Sequence, residues 1–249
     1  MADAWGNNGQ MGQMGQFPLE QWFYEMPPVT RWWTVATVAT SVLVHCNIVN
    51  ELQLFYSFRA VYAKSQYWRL FTTFLYFGRL DLDLIFHVFF LQRYSRLVEE
   101  SSGRSPAQFA WLIFYATSLL LIISPFLSLP YLGSALSSCL VYIWARRNPD
   151  TRLSFLGLMV FPAPYLPWVL MAFSLLLHKI VPKDEMLGVA VGHVWYFFND
   201  VYPPLHGGHR PLDPPSWWRR LFETQSTRAQ GRPVDNHGEG HDVPAAIAQ

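Results

Sequence analysis

Trp68-Arg69, the run Gly188-x-x-x-Gly192-His193, and the pair Asp83 and His87 are the residues whose types and spacing could do chemistry. Arginine carries five N–H donors in a fixed fork, so Arg69 could satisfy several backbone carbonyls of an irregular loop. Trp68 would anchor that loop at headgroup level, although a plain interfacial Trp-Arg pair would look the same. Two glycines four apart let two helix backbones approach closely. His193, beside them, is expected to face the interior of a helix bundle and hydrogen-bond to a neighbour. Asp83 and His87 are four residues apart and share a helix face. They would form either a polar patch in a water-filled cavity or the wet end of a tilted span. Cys46 and Cys139 both sit inside apolar runs, which speaks against a disulfide framework. No metal site and no cofactor is expected.

The elements that must position these residues are membrane helices. Of the 249 residues 51% are hydrophobic and only 14% charged, against roughly 25% charged in an average soluble domain. A net charge of +1 gives no reason to expect nucleic acid as a partner. Trp32 to Val49 holds no Asp, Glu, Lys or Arg and suits a first span, with Trp32 and Trp33 as its interfacial anchors. A mixed stretch from Glu51 to Arg79 should carry short helices at the membrane surface. Leu80 to Leu97 is a second span containing Asp83 and His87, which should face protein or water. Ala107 to Ala145 has no charged residue or histidine. As one helix it would run roughly 58 Å, about twice a bilayer core, so it must fold back. Ser124-Pro125 and Leu129-Pro130 mark the reversal between spans three and four. Leu153 to Leu177 is free of charge but carries Pro162, Pro164 and Pro167, so its helix should start near Pro164 to Trp168. Met186 to Tyr202 is the sixth span.

Outside these runs, residues 1–16 are low in complexity and read as a disordered tail. Residues 17–31 suit a short interfacial helix, and the six-helix membrane domain extends over 17–205. Residues 206–249 form a polar tail with a second interfacial helix near 215–223, built on Trp217-Trp218-Arg219-Arg220. Six spans place both tails on one side. The opposite side holds Arg59, Lys64, Arg69, Arg79, Lys179 and Lys183, leaving two thirds of the 18 basic residues with the tails. The positive-inside rule then puts both termini in the cytosol.

Several stretches together resemble the Derlin family. They are Trp68-Arg69, Leu140-Val-Tyr-Ile-Trp-Ala-Arg-Arg-Asn-Pro149, Ala163-Pro-Tyr-Leu-Pro-Trp-Val-Leu170, and Gly188-x-x-x-Gly192-His193-x-x-Tyr196-Phe-Phe198. Tyr94-Ser-Arg-Leu-Val-Glu-Glu100 and the stretch from Trp22 to Arg31 also fit, so the resemblance covers roughly residues 17–212. It implies a rhomboid-like six-helix bundle of the endoplasmic reticulum membrane. The implied role is retrotranslocation of misfolded proteins to the cytosol for proteasomal degradation. The implied partners are misfolded clients and a membrane-bound ubiquitin ligase complex, with assembly into homo- or hetero-oligomers left open.

The resemblance also raises an enzymatic question. Rhomboid proteases carry a serine in Gly-x-Ser-Gly on the fourth span and a histidine on the sixth, because a hydroxyl needs an adjacent base to become a nucleophile. Here the fourth span reads Leu132-Gly133-Ser134-Ala135-Leu136-Ser137-Ser138, with Ala135 at the nucleophile position if Gly133 matches the glycine. His193 is therefore expected to be structural and the chain a pseudoprotease rather than an active intramembrane protease. A multipass transporter would show an internal repeat, and none is visible. The tail lacks the aromatic-led Gly/Arg box by which many Derlins recruit the AAA unfoldase, so that partner is expected to act indirectly.

Overall fold

The computed structural model describes residues 26–78, 80–101, 106–155 and 159–221. The expectations for the tail 1–16, for most of the helix at 17–31 and for the chain beyond 221 lie outside these residues. The chain divides into two units, 1–213 and 214–249. In the second unit residues 216–221 are helical, with Trp217 and Leu221 exposed.

The first unit is an all-α membrane domain with one small hairpin. Its helices run α1 Pro28–His45, α2 Glu51–Leu54, α3 Phe58–Ala63, α4 Arg69–Thr72, α5 Leu82–Ser101, α6 Pro106–Leu127 and α7 Gly133–Arg147. The antiparallel strands β1 Arg152–Phe155 and β2 Met159–Pro162 follow. The unit ends with α8 Leu166–His178, α9 Lys183–Tyr196, a π-turn Phe197–Val201 and α10 Tyr202–Leu205. By length and composition, Ala107–Leu127 is the one helix among the described residues that could cross a bilayer unaided.

α1 wears its polarity on the inside. Thr30, Thr34, Thr37 and Ser41 are buried, while Trp32 is 72% exposed and Val35, Val38, Val42 and Leu43 also face out. In water this arrangement would be inverted; with lipid as the solvent, small hydroxyl residues mark the helix–helix side. That side packs on α5. The N-terminus of α1 has no cap of its own, and α5 supplies one. The N–H groups of Val29 and Thr30 and the Thr30 hydroxyl all donate to the Glu99 carboxylate, at 3.4, 3.1 and 2.8 Å. A carboxylate at this position satisfies orphan donors and meets the positive end of the helix dipole.

Two boundaries differ from the sequence expectation. Pro125 does not break the hairpin but lies inside α6, and the reversal comes at Ser128 to Leu132. Proline removes the N–H that would bond the carbonyl of Leu121, four residues back. The Tyr56 hydroxyl donates to that carbonyl instead, at 3.2 Å. The second difference is the β1–β2 hairpin, which occupies the first part of the charge-free run from Leu153. The helix of that run starts at Leu166 with Pro167 in its first turn.

α7 is the centre of the bundle. Eleven of its 15 residues are buried. It runs parallel to α9, and the two are pinned at both ends. Ser134 donates to the Asp184 carboxylate at one end. At the other, Arg147 donates from Nε and Nη2 to Asp200, at 3.2 and 3.0 Å. The π-turn carrying Asp200 sits just ahead of Pro203 and Pro204, which withhold the N–H groups that the carbonyls of Asn199 and Asp200 would otherwise take.

Candidate functional site

The glycine pair sets the contact between α7 and α9. A Cβ built on Gly188 would lie 2.0 Å from the carbonyl oxygen of Ala135, and one on Gly192 2.9 Å from that of Cys139. Small residues four apart on α9 thus meet small residues four apart on α7. The partners on α7 are Ala135 and Cys139. Gly133 packs under Phe77 and Phe74.

His193 is displaced from the expected place. It was expected to face the bundle interior, yet its ring is exposed. Gly192 points into α7, and each residue turns the helix by about 100°. The next side chain is therefore carried out of the contact. His193 Nδ1 and the Tyr142 hydroxyl share a 2.6 Å hydrogen bond, with the rings edge to face at 5.8 Å.

Among the described residues no serine is hydrogen-bonded to this histidine. Ser134 is engaged by Asp184, while Ser137 and Ser138 line a separate cleft facing α5 and α8. Ala135, at the position a nucleophile would take, is wholly buried beneath Gly188. A general base must come within hydrogen-bond reach of the hydroxyl it activates. His193 is bonded to Tyr142, a residue one to two turns further along α7. A fluorophosphonate probe should therefore label no serine of the purified chain, and His193→Ala should leave that blank result unchanged. Stoichiometric labelling of Ser134, Ser137 or Ser138, read by mass spectrometry, would contradict this.

The polar side chains gather elsewhere. An open cavity of about 700 Å³ lies among α5, α7, α8 and the start of α9, and His87, Ser134, Ser174, Asp184 and Glu185 contribute to its wall. His87 is half-buried, its ring 5.6 Å from that of Phe77. Glu185 is 5% exposed. Asp83 falls in the first turn of α5, but its side chain lies outside the described ones. A smaller cleft continues from this cavity between α5 and α8, which meet at the edge-to-face rings of Phe86 and Phe173. Sequence reading found His87 but missed Ser174, Asp184 and Glu185. The signal available was a pair of acids opening a span, a position that also complements the helix dipole and so attracts little notice.

Trp68-Arg69 organises the loop after α1. Arg69 Nη1 donates to the carbonyls of Leu52 and Phe55, at 2.8 and 2.6 Å, and Nε to Gln66 at 2.6 Å. One side chain thus ties the end of α2 to the start of α4. Trp68 is 54% exposed. Beneath them Tyr131 reaches in from the α6–α7 turn. Its hydroxyl donates to the Glu51 carbonyl, and its ring meets those of Tyr76 and Phe55. Burial, aided by the Glu51 carboxylate, pushes the Tyr131 phenol up, and Arg69 partly opposes this.

Together these features define a helical membrane protein with an apolar outer surface and an open cavity to whose wall polar side chains contribute. The family model of the Der1-like family matches residues 26–216. Derlin-2.1 of Zea mays is 39% identical over 234 residues, covering 89% of this chain and 93% of its own length. A probable derlin-2 homolog of Dictyostelium discoideum is 38% identical, with 84% of each chain covered. An uncharacterized derlin-like protein of Schizosaccharomyces pombe is 35% identical over 73% of this chain. The chain belongs to the Der1-like, or Derlin, family.

Proposed function

We propose that the chain is a non-catalytic component of endoplasmic-reticulum-associated degradation that eases the passage of misfolded proteins to the cytosol. The observation that carries this reading is the open cavity to whose wall His87, Ser134, Ser174, Asp184 and Glu185 bring polar groups, in a bundle whose outer surface is apolar. A hydrophilic chain crossing hydrocarbon leaves unsatisfied backbone groups that cost several kcal/mol each, and a polar wall lowers that cost. A short helix acts in the same direction. α8 has 13 residues, or about 20 Å at 1.5 Å per residue, against a hydrocarbon core of about 30 Å. The bilayer around it would thin to match. In this reading the clients are misfolded proteins, a membrane-bound ubiquitin ligase complex is a partner, and the AAA unfoldase is engaged indirectly.

A photo-crosslinking residue placed at Ser174, on the cavity wall, should capture a misfolded client in cells. The same residue at Ile122, 64% exposed on α6, should capture lipid and little client. Equal client capture at both positions, or none at Ser174, would remove the cavity from the pathway.

The topology in this reading is six spans, α1 and α5 to α9, in the endoplasmic reticulum membrane with both termini cytosolic. Tags at either end should be digested by protease added to sealed microsomes, and a tag between Glu51 and Gln66 should survive. Protection of one terminus alone would refute an even number of spans.

A further inference from the structure

The β1–β2 hairpin that interrupts the charge-free run has a place in a second cavity. This cavity, of about 420 Å³, lies between α5, the hairpin and the start of α8. Phe86, Phe89 and Phe90 of α5 line one side, Phe161 of β2 lies on the other, and Arg93 and Arg152 also contribute to the wall. Both arginines are exposed. Neither takes part in an ion pair among the described residues, and no carboxylate lines the cavity among them. The two acids that follow Arg93 on α5 are both engaged, Glu99 by the first turn of α1 and Glu100 by Arg96 at 2.7 Å.

An aromatic cavity with two uncompensated guanidinium groups has the chemistry of an anionic amphiphile. Guanidinium forks match phosphate oxygens, and phenylalanine rings accept hydrocarbon. Phe89 is 51% exposed on the lipid-facing side of α5, so the cavity opens towards acyl chains as well as towards the surface. We propose that the cavity bounded by Arg93, Arg152 and the Phe86–Phe90 and Phe161 rings binds an anionic phospholipid of the leaflet on the hairpin side. Its phosphate sits between the two arginines and an acyl chain lies on the rings. The site is independent of the degradation role, since it asks only that the chain be folded in a membrane.

The test uses the full purified chain in detergent micelles with an equimolar mixture of dioleoyl phosphatidic acid and dioleoyl phosphatidylcholine, read by native mass spectrometry. Bound phosphatidic acid should exceed phosphatidylcholine by roughly tenfold or more, given the attraction of basic residues to anionic lipid. Arg93→Gln with Arg152→Gln should bring the ratio near one, and each single variant should fall between, which covers the case in which the double variant fails to fold. Arg146→Gln should keep the preference, because Arg146 lies over the Tyr196 ring on another side of α7. Millimolar inorganic phosphate should fail to displace the lipid. Equal binding of the two lipids would overturn the proposal. So would a preference that survives removal of both arginines, one lost equally in Arg146→Gln, or displacement by inorganic phosphate, which would indicate a simple anion site.

Discussion

Gly188→Ala should be the most damaging single-methyl change in the domain. The added carbon would stand 2.0 Å from the Ala135 carbonyl oxygen, and 3.0 Å from the Ala135 Cα. These are backbone atoms at the centre of the most buried helix, so no side chain can swing aside. Either α9 moves off α7 by an ångström or more, or the contact is lost. Overpacking typically costs about 1–3 kcal/mol and occasionally more, and a clash with backbone belongs at the upper end. Gly192→Ala meets the Cys139 carbonyl at 2.9 Å and should cost less, with Gly192→Leu approaching Gly188→Ala. Membrane insertion should be spared, because each substitution raises the hydrophobicity of the span. The measurement is thermal melting of the detergent-purified protein beside client half-life in cells. A Gly188→Ala variant that melts with the wild type would mean the two backbones are further apart than described.

Arg69→Ala should open the loop after α1 without loosening the bundle. Removal of the guanidinium leaves the carbonyls of Leu52 and Phe55 and the side chain of Gln66 without their shared donor. Water reaches the two carbonyl contacts and recovers part of the loss, so the net cost is about 1–3 kcal/mol, a local opening increased by roughly 5- to 150-fold. Arg69→Lys should recover less than half of it, since one ammonium cannot fork to acceptors on both sides. Limited proteolysis between Glu51 and Gln66 in detergent reads the opening. The melting temperature of the core should shift little, because Arg69 touches none of the α7–α9 contact. Equal protease resistance of wild type and Arg69→Ala would show that Tyr131 and its ring contacts hold the loop unaided.

The helices were legible where lipid imposes a simple rule, and illegible where packing phase decides. Charge-free runs and prolines located α1, the α6–α7 pair and the start of α8 near Leu166. The proline signal failed at Pro125 because its cost is met by a residue remote in sequence, Tyr56, that no local pattern reveals. The hairpin was hidden inside an apolar run that satisfies the composition of a span as readily as that of two short strands. The glycines identified α9 as half of a close pair, but not which side of α7 they meet. With eleven of 15 residues buried, α7 has no polar stripe from which to read a face. A recurring offset was present all the same: the same separation in sequence joins Ala135 to Gly188, Cys139 to Gly192 and Arg147 to Asp200. That regularity is what a parallel pair produces, and it becomes visible only once one contact is known. His193 was misplaced for the related reason that its neighbour Gly192, not itself, faces the partner.

The hydroxyl-lined side of α1 has a consequence for how the protein is made. α1 leaves the ribosome well before α5 exists, since synthesis must run on from His45 to Ser101 before its partner is complete. At roughly 5–20 residues per second that interval is a matter of seconds. During it, Thr30, Thr34, Thr37 and Ser41 have no helix to pack against, and Glu99 has not yet been added to cap the first turn. The hydroxyls can meanwhile turn onto their own backbone, as Thr40 does with the Ala36 carbonyl at 2.7 Å. The nascent span can therefore wait in lipid without stranding a polar group, and its valine and tryptophan side already faces the direction it will keep. An interruption of translation before residue 99 would leave an inserted but uncapped helix, a species with the features of the misfolded membrane segments that quality control removes.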